Sequence, residues 1–210
     1  MMKKEFQKRI LSSLIIIPIA LFFVVEGSVF FIFFLSIFFI TTSYEWLKMI
    51  KKNNLIKIFG IIFLLISFYS TYLSREILGL NYFLFIILIC ISTDMGGYFF
   101  GKTFKGPKLT KISPNKTYAG ALGSFILSII TGLIFNQYFA SIDVSSKLSF
   151  LILILFISLI SQIGDLIISY FKRKAKVKDT GKILPGHGGL LDRIDGLIFA
   201  IPVSLLIFTL

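Results

Sequence analysis

Long apolar runs separated by short polar connections make up most of this 210-residue chain. The runs match the roughly 17–25 residues that an α-helix needs to cross a bilayer. Each run is predicted to be helical, because a lipid-exposed backbone must satisfy its hydrogen bonds internally. The pattern therefore predicts an all-α fold, a polytopic membrane helix bundle with about seven transmembrane helices at residues 10–25, 28–47, 55–74, 80–100, 118–140, 148–171 and 194–210.

Composition agrees with a membrane protein. The chain is 56% hydrophobic and 15% charged, with a mean hydropathy of +0.92, whereas soluble domains carry about 25% charged residues. Cys90 is the only cysteine, so an intrachain disulfide is excluded, and we interpret Cys90 as a small core residue. The basic start followed by an apolar run resembles a signal peptide but lacks a small-x-small cleavage site, so we expect a retained first hairpin.

The net charge of +12 is explained by topology rather than by a nucleic-acid partner. Alternate connections between the predicted spans carry nearly all lysines and arginines, and the intervening connections hold only Arg75 and Lys147. An excess of Lys and Arg marks the cytoplasmic side of a membrane. The pattern predicts a cytoplasmic N-terminus and no nucleic-acid partner.

The acidic residues in or beside the spans cluster at the ends that face the basic connections. A carboxylate at the bilayer centre costs about 2.5–3.5 kcal/mol, so such residues usually line cavities. An ion pathway would spread them across the membrane depth, whereas this clustering predicts a pocket open to the cytoplasm, formed near Glu45, Asp94, Asp165, Asp192 and Asp195. Glu45 also has a structural interpretation, as an ion-pair partner of Lys48 or Lys52.

The segment Ser169–Asp195 carries the groups that bind phosphates and a divalent metal. Asp165, Ser169 and Lys172 are spaced i, i+4 and i+7 and share one helix face, and Asp192 and Asp195 share another. Glycines in a turn expose backbone N–H groups to anions, and one or two carboxylates with substrate phosphates suit Mg²⁺. The segment predicts nucleotide handling at a membrane surface, with an Asp165–Lys172 structural ion pair as the alternative.

The same segment resembles a family signature. The pattern S-x-F-K-R-x4-K-D-x-G-x2-L-P-G-H-G-G-L-x-D-R-I-D is similar to that of the phosphatidate cytidylyltransferase (CDP-diacylglycerol synthase) family. Upstream elements are also similar to the family: Asp94-x3-Tyr98-x2-Gly101-Lys102, Ser113-Pro114-Asn115-Lys116-Thr117 and Gly164-Asp165-Leu166. The chain departs from the family at Ala119, where Glu is usual, and at Gly97, where Ala is usual. The resemblance covers roughly residues 90–210, predicted to be the catalytic region, with residues 1–89 as a scaffold of transmembrane helices.

The resemblance implies transfer of the cytidylyl group of CTP to phosphatidate, giving CDP-diacylglycerol and pyrophosphate in phospholipid biosynthesis. It implies Mg²⁺ as the cofactor, with room for a second cation. It also implies that the protein lies among membrane lipids of a bacterial cytoplasmic membrane, with the active site facing the cytoplasm. Whether the protein forms a homodimer stays open. The implied catalytic residues are Asp165, Lys172, Arg173, Asp192 and Arg193. The implied substrate-binding residues are Ser113, Lys116, Thr117, Ser169, Lys178, Asp179, His187, Gly188 and Gly189. The implied metal ligands are Asp165, Asp192, Asp195 and Asp94.

Two other functions stay open at this point. A CTP-dependent polyprenol or dolichol kinase would transfer the terminal phosphoryl group to a lipid alcohol, which requires deprotonation of a hydroxyl. An ion-coupled membrane transporter would place polar residues at the midplane of several spans. Labelled substrates discriminate among the three, since only a cytidylyltransferase makes the cytidine label lipid-soluble.

Overall fold

The computed structural model describes residues 14, 18–110, 112–139, 142, 146–183 and 188–209. Within those ranges the chain is helical, with no β-strand, which confirms the predicted all-α class. Residues 18–26 are helical and precede the helices α1 Ser28–Met49, α2 Asn54–Ile77, α3 Leu80–Phe104, α4 Tyr118–Tyr138, α5 Lys147–Lys174, α6 Leu191–Ile194 and α7 Leu197–Thr209.

Five of these helices, α1 to α5, are long and apolar enough to cross a membrane. They coincide with five of the predicted spans, from 28–47 to 148–171. The predicted continuous span 194–210 is corrected, because the chain turns at Asp195 and Gly196 and α7 has only 13 residues. At 1.5 Å per residue α7 alone reaches about 20 Å, so the turn interrupts the predicted span, which is not one continuous helix. The first predicted span, 10–25, falls largely outside the described residues.

The chain divides into two compact units. The first unit comprises the described residues of 1–72 together with Phe171–Ile194, and the second comprises those of 73–170 and 195–210. Helix α5 therefore contributes its last residues to the first unit and the rest of its length to the second. The predicted functional division at residue 90 stays a prediction.

In the first unit, Trp46 joins α1 to its neighbours. The indole packs edge-on against Phe171 with ring centroids 4.9 Å apart, and its Nε1 donates to the Lys57 carbonyl at 3.3 Å. The same ring occupies the space beside Gly60 of α2, where a side chain would collide with it. The end of α1 is thereby fixed against α2 and the last turn of α5, and α1 also contacts the short helix α6.

In the second unit, small residues allow α3 and α4 to pack closely along each other. A Cβ on Gly96 would collide with the Gly123 backbone. The Ser124 hydroxyl donates to the Thr93 carbonyl at 2.7 Å, and the Thr93 hydroxyl donates to Ser158 Oγ of α5 at 2.8 Å. These contacts hold α3, α4 and α5 together directly beside Asp94.

Candidate functional site

A cavity of about 310 Å³ opens in the second unit between α3, α4, α5 and the connection that precedes α4. This volume is at the lower end of the roughly 300–1,000 Å³ typical of ligand sites. Five predicted site residues line this space, which we call the Asp165 cavity: Asp94, Ser113, Lys116, Thr117 and Asp165. Residues that the sequence separates by as many as 71 positions, from 94 to 165, therefore face one space.

The connection between α3 and α4 folds back on itself and presents its polar residues at this cavity. An isolated antiparallel bridge joins Lys108 and Thr117, and the Lys116 N–H donates to the Ser113 carbonyl at 3.0 Å. Thr117 then caps α4, since its Oγ1 accepts a hydrogen bond from the Gly120 N–H at 3.1 Å. Threonine is a favoured N-cap residue for this reason. The turn therefore has a local cause in the sequence.

Asp165 pairs with Lys116 across the cavity. The Lys116 Nζ lies 2.5 Å from Asp165 Oδ2, and the Ser169 hydroxyl donates to Asp165 Oδ1 at 3.2 Å. The two charged side chains are 25% and 28% exposed, so solvent and ligands can reach them. The partner of this intramembrane acid comes from the α3–α4 connection, which corrects the alternative expectation of a structural pair with Lys172.

The donor set of this cavity fits a magnesium ion. Asp94 and Asp165 both line it, and Mg²⁺ in nucleotide sites commonly takes one or two carboxylates plus substrate phosphates. Asp195 belongs to the same unit and is 8% exposed. Its backbone packs against Gly164, the residue before Asp165, because a Cβ added at Gly164 would lie only 2.8 Å from the Asp195 carbonyl oxygen. Among the described residues, no three or more His, Cys, Asp or Glu side chains gather around a metal position. The predicted metal ligands stay a prediction.

In the first unit, Asp192 holds together the connection between α5 and α6, residues 175–190, which we call the signature connection. Its Oδ1 accepts from Lys172 Nζ at 2.9 Å, and its Oδ2 accepts from the N–H groups of Thr180 at 2.8 Å and Gly189 at 3.0 Å. The Lys172 and Asp192 side chains are only 11% and 7% exposed. Both carboxylate oxygens of Asp192 already accept hydrogen bonds from the protein. To bind a metal ion, Asp192 would have to use its remaining lone pairs or give up some of these hydrogen bonds.

Glu45 of α1 contacts the signature connection, which the sequence interpretation did not predict. Its carboxylate is 1% exposed and accepts three hydrogen bonds from the signature connection and the start of α6. The donors are Thr180 Oγ1 at 3.1 Å, the Leu190 N–H at 3.0 Å and the Leu191 N–H at 2.8 Å. Glu45 thus binds the signature connection at Thr180 and at its last residue, Leu190, and also binds the first residue of α6.

The ion-pair interpretation of Glu45 is wrong. Its three partners are neutral, and Lys48 instead stacks over the Tyr44 ring at 5.6 Å. A side chain on Gly181 or Gly189 would collide with the Glu45 carboxylate, so these glycines allow it to approach the backbone. The sequence offered one signal, an acidic residue inside a predicted span, but nothing in it specified a partner more than 130 positions away.

The remaining predicted residues of the signature are placed as follows. Arg173, Lys178, Asp179 and Arg193 are exposed, and Gly188 has a φ of +88°, a conformation that favours glycine. His187 lies outside the described residues. The expectation that Asp192 and Asp195 share a helix face is wrong, because α6 ends at Ile194 and Asp195 lies in the turn that follows.

The predicted site residues fall into two sets. Those of the Asp165 cavity, with Ser169 and Asp195, belong to the second unit, whereas those from Lys172 to Arg193 belong to the first. The joining of both sets into one active site stays a prediction.

Comparison with known proteins decides the family. The model of the Cytidylyltransferase family matches residues 53–210, well over half of the chain. This protein belongs to the cytidylyltransferase family. It is 34% identical over 209 residues to the phosphatidate cytidylyltransferase of Rickettsia felis, an alignment that covers 96% of this chain and 91% of the relative.

Other members of the family are more similar over a shorter stretch. The phosphatidate cytidylyltransferases of Staphylococcus epidermidis and Bacillus subtilis are 43% and 42% identical over 127 and 125 residues. These alignments span about half of each relative's length, 48% and 46%. All predicted site residues lie within the range that the family model matches, whereas Glu45 precedes it.

Proposed function

We propose that this protein transfers the cytidylyl group of CTP to phosphatidate, forming CDP-diacylglycerol and releasing pyrophosphate for phospholipid biosynthesis. The observation that carries the proposal is the family membership, together with the nearly full-length alignment to a relative named phosphatidate cytidylyltransferase. The Asp165 cavity supports it, because it combines carboxylates with an ammonium and hydroxyl groups in one space.

The reaction requires positioning more than proton transfer. A phosphate oxygen of phosphatidate attacks the α-phosphorus of CTP, a new P–O bond forms, and the bond to the oxygen that bridges to the β-phosphate breaks as pyrophosphate leaves. The attacking oxygen is already anionic, so no strong general base is needed. The barrier lies in bringing two polyanions together, and neutralising their charge and aligning them lowers it.

Each residue of the Asp165 cavity has a role in this scheme. Lys116 provides a positive charge for a substrate phosphate, and its pairing with Asp165 keeps the ammonium at the cavity wall. Thr117 uses an Oγ1 lone pair to cap α4, which leaves its O–H able to donate to a phosphate oxygen. The Ser113 hydroxyl, which also lines the cavity, would donate in the same way. Asp94 and Asp165, with Asp195 beside them in the same unit, would hold Mg²⁺, which when bound neutralises charge on the CTP phosphates.

The first unit contributes cations and a fixed loop. The exposed guanidinium groups of Arg173 and Arg193 suit bidentate binding of phosphate, with Lys178 as a further cation. Lys172 and the Gly189 N–H donate to Asp192, so they hold the signature connection rather than face solvent. In the proposed complex these cations bind substrate phosphates.

We also propose seven transmembrane spans with the N-terminus in the cytoplasm, in a bacterial cytoplasmic membrane, with the active site facing the cytoplasm. The five long apolar helices and the alternation of basic connections support this arrangement. Lys51 and Lys178 should react with a membrane-impermeant amine reagent from the cytoplasmic side and Lys147 from the other. Labelling of Lys178 and Lys147 from the same side would contradict the arrangement. A homodimer is compatible with it, and light scattering in detergent measures that state.

The reaction is tested by following two labels in CTP. Purified protein in mixed micelles with phosphatidate and Mg²⁺ should move a cytidine label into the lipid phase and release pyrophosphate, and chelation of Mg²⁺ should stop the transfer. Transfer of a γ-phosphate label to a polyprenol, with no lipid-soluble cytidine, would instead establish a lipid kinase. Transfer of neither label would contradict the proposed reaction and leave a transporter as the better interpretation.

A further inference from the structure

A second cavity, of about 420 Å³, lies in the first unit at the ends of three long helices. Its walls come from the end of α1, the connection to α2, the first turn of α2, and the end of α5 with the two residues that follow. None of its lining residues is a predicted site residue, and none lines the Asp165 cavity. The proposed cytidylyl transfer therefore gives it no role.

Four lysines surround this space, which we call the lysine pocket: Lys51, Lys52, Lys174 and Lys176. All four are exposed, and Asn53 adds an amide. The described residues that line the pocket include no aspartate or glutamate. Four ammonium groups around one cavity repel each other, and an anion bound between them converts that repulsion into attraction. The ligand is therefore expected to be negatively charged.

The rest of the lining is apolar. Met49 and Ile50 are buried, Ile56 and Phe171 are partly buried, and the Phe171 ring is fixed by its contact with Trp46. A site for a fully solvated anion needs no such wall. Basic side chains next to an apolar wall match a ligand in which a phosphate group is joined to hydrocarbon.

The position of the pocket points to the same ligand. Helices α1, α2 and α5 are all long and apolar enough to span a membrane, and the pocket lies where α1 and α5 end and α2 begins. The ends of spanning helices mark the depth of lipid headgroups. Basic residues at this depth attract anionic lipid.

We propose that the lysine pocket binds the phosphate headgroup of an anionic membrane phospholipid, with the start of its hydrocarbon against the apolar wall. The general excess of lysine on one side of the membrane explains why such residues are present. It does not explain why two parts of the chain far apart in the sequence place four of them around one cavity.

The test is a titration of the full chain in detergent, followed by native mass spectrometry, with three probes: phosphatidylglycerol, phosphatidylcholine and glycerol 3-phosphate. Phosphatidylglycerol should bind, phosphatidylcholine should bind at least about tenfold more weakly, and glycerol 3-phosphate should also bind more weakly because it lacks the hydrocarbon. The double variants Lys51→Gln/Lys52→Gln and Lys174→Gln/Lys176→Gln should each weaken phosphatidylglycerol binding at least about tenfold, because each removes two of the four ammonium groups that line the pocket and would contact the headgroup phosphate.

The matched control is Lys48→Gln/Lys57→Gln, which removes the same charge from the same two helix ends without touching the pocket lining. Its phosphatidylglycerol affinity should stay within about threefold of the parent, and gel filtration confirms that each variant is folded. An equal loss in the control would show a diffuse surface-charge effect and overturn the site. Glycerol 3-phosphate binding as tightly as phosphatidylglycerol would overturn the lipid as occupant in favour of a soluble phosphate compound. No readout uses CTP, so the result is independent of the proposed reaction.

Discussion

Replacing Glu45 tests whether the family signature depends on a residue outside it. Glu45→Gln keeps the shape of the side chain and removes its charge. The carboxylate accepts two hydrogen bonds at Oε2, from Thr180 and Leu191, and one at Oε1, from the Leu190 N–H. An amide can place its carbonyl at only one of these positions, so its NH₂ group then faces a donor at the other.

The size of the effect follows from these contacts. A hydrogen bond to a charged group contributes about 1.5–3 kcal/mol, and a buried donor left without an acceptor costs about 1–3 kcal/mol. With the carbonyl kept on Thr180 and Leu191, Glu45→Gln loses the bond from Leu190 and weakens the other two, a cost of about 3 kcal/mol. Glu45→Ala loses all three and should cost more. This cost destabilises the observed conformation of the signature connection. It does not destabilise α1, which stays helical without these contacts.

Two measurements follow the signature connection directly. Hydrogen exchange should be faster at the amides of Leu190 and Leu191 in Glu45→Gln, and kcat for cytidylyl transfer should fall by roughly a hundredfold, equivalent to about 2.7 kcal/mol. Glu76→Gln, which neutralises an exposed acid of α2, is the matched control and should change neither. Normal exchange at Leu190 and Leu191 together with near-normal turnover in Glu45→Gln would refute the reasoning.

Three further predictions concern the second unit. Asp165→Asn should lower activity at least about a hundredfold, equivalent to about 2.7 kcal/mol of barrier, while the protein still inserts into the membrane. Asp179→Asn, a comparison variant outside the helices, should lower activity less. Near-normal Mg²⁺-dependent turnover in Asp165→Asn would leave Asp165 only a structural pair with Lys116. Lys116→Met should weaken CTP or phosphatidate binding in a KM measurement, and an unchanged KM would remove Lys116 from the site. Gly96→Ala should lower stability in detergent by about 1–3 kcal/mol through overpacking. Gly101→Ala should be tolerated better, because a Cβ added there would lie 3.3 Å and 3.6 Å from the nearest atoms of α4 and its cap. Equal melting temperatures of the two variants would contradict this interpretation of the α3–α4 contact.

The long helices could be predicted from the sequence because bilayer thickness imposes a length that apolar runs reveal directly. The interruption before α7 could not. It occurs where Gly196 lies so close to α5 that a Cβ would collide with the Ser161 hydroxyl, so the turn depends on a tertiary contact. The apolar pattern alone, continuous from Leu197 onward, favoured one long span with Asp195 on its first turn.

The residue types of the site were more predictable from the sequence than the ion-pair partner of Asp165. Ser113, Lys116 and Thr117 were identified as phosphate-type residues, and they do line a cavity with Asp165. The ion-pair partner considered for Asp165, as the alternative to a metal ion, was Lys172, because local spacing suggests partners on the same helix. Residues seven apart on a helix are separated by about 10.5 Å of axial rise, whereas the turn capped by Thr117 delivers Lys116 directly to the carboxylate.

Four acids near the predicted site differ in their surroundings, and that difference was invisible in the sequence. Glu45 and Asp192 are almost fully covered, and backbone N–H groups of the signature connection bind both, so their charge is used to fix a loop. Asp94 and Asp165 line an open cavity, and the Asp165 side chain is 28% exposed, against 7% for Asp192. A metal ion and substrate phosphates can approach the second pair without breaking a loop. The ligands of the predicted magnesium site should therefore be sought first at Asp165 and Asp94, and Asp192→Asn should loosen the signature connection before it alters the affinity for Mg²⁺.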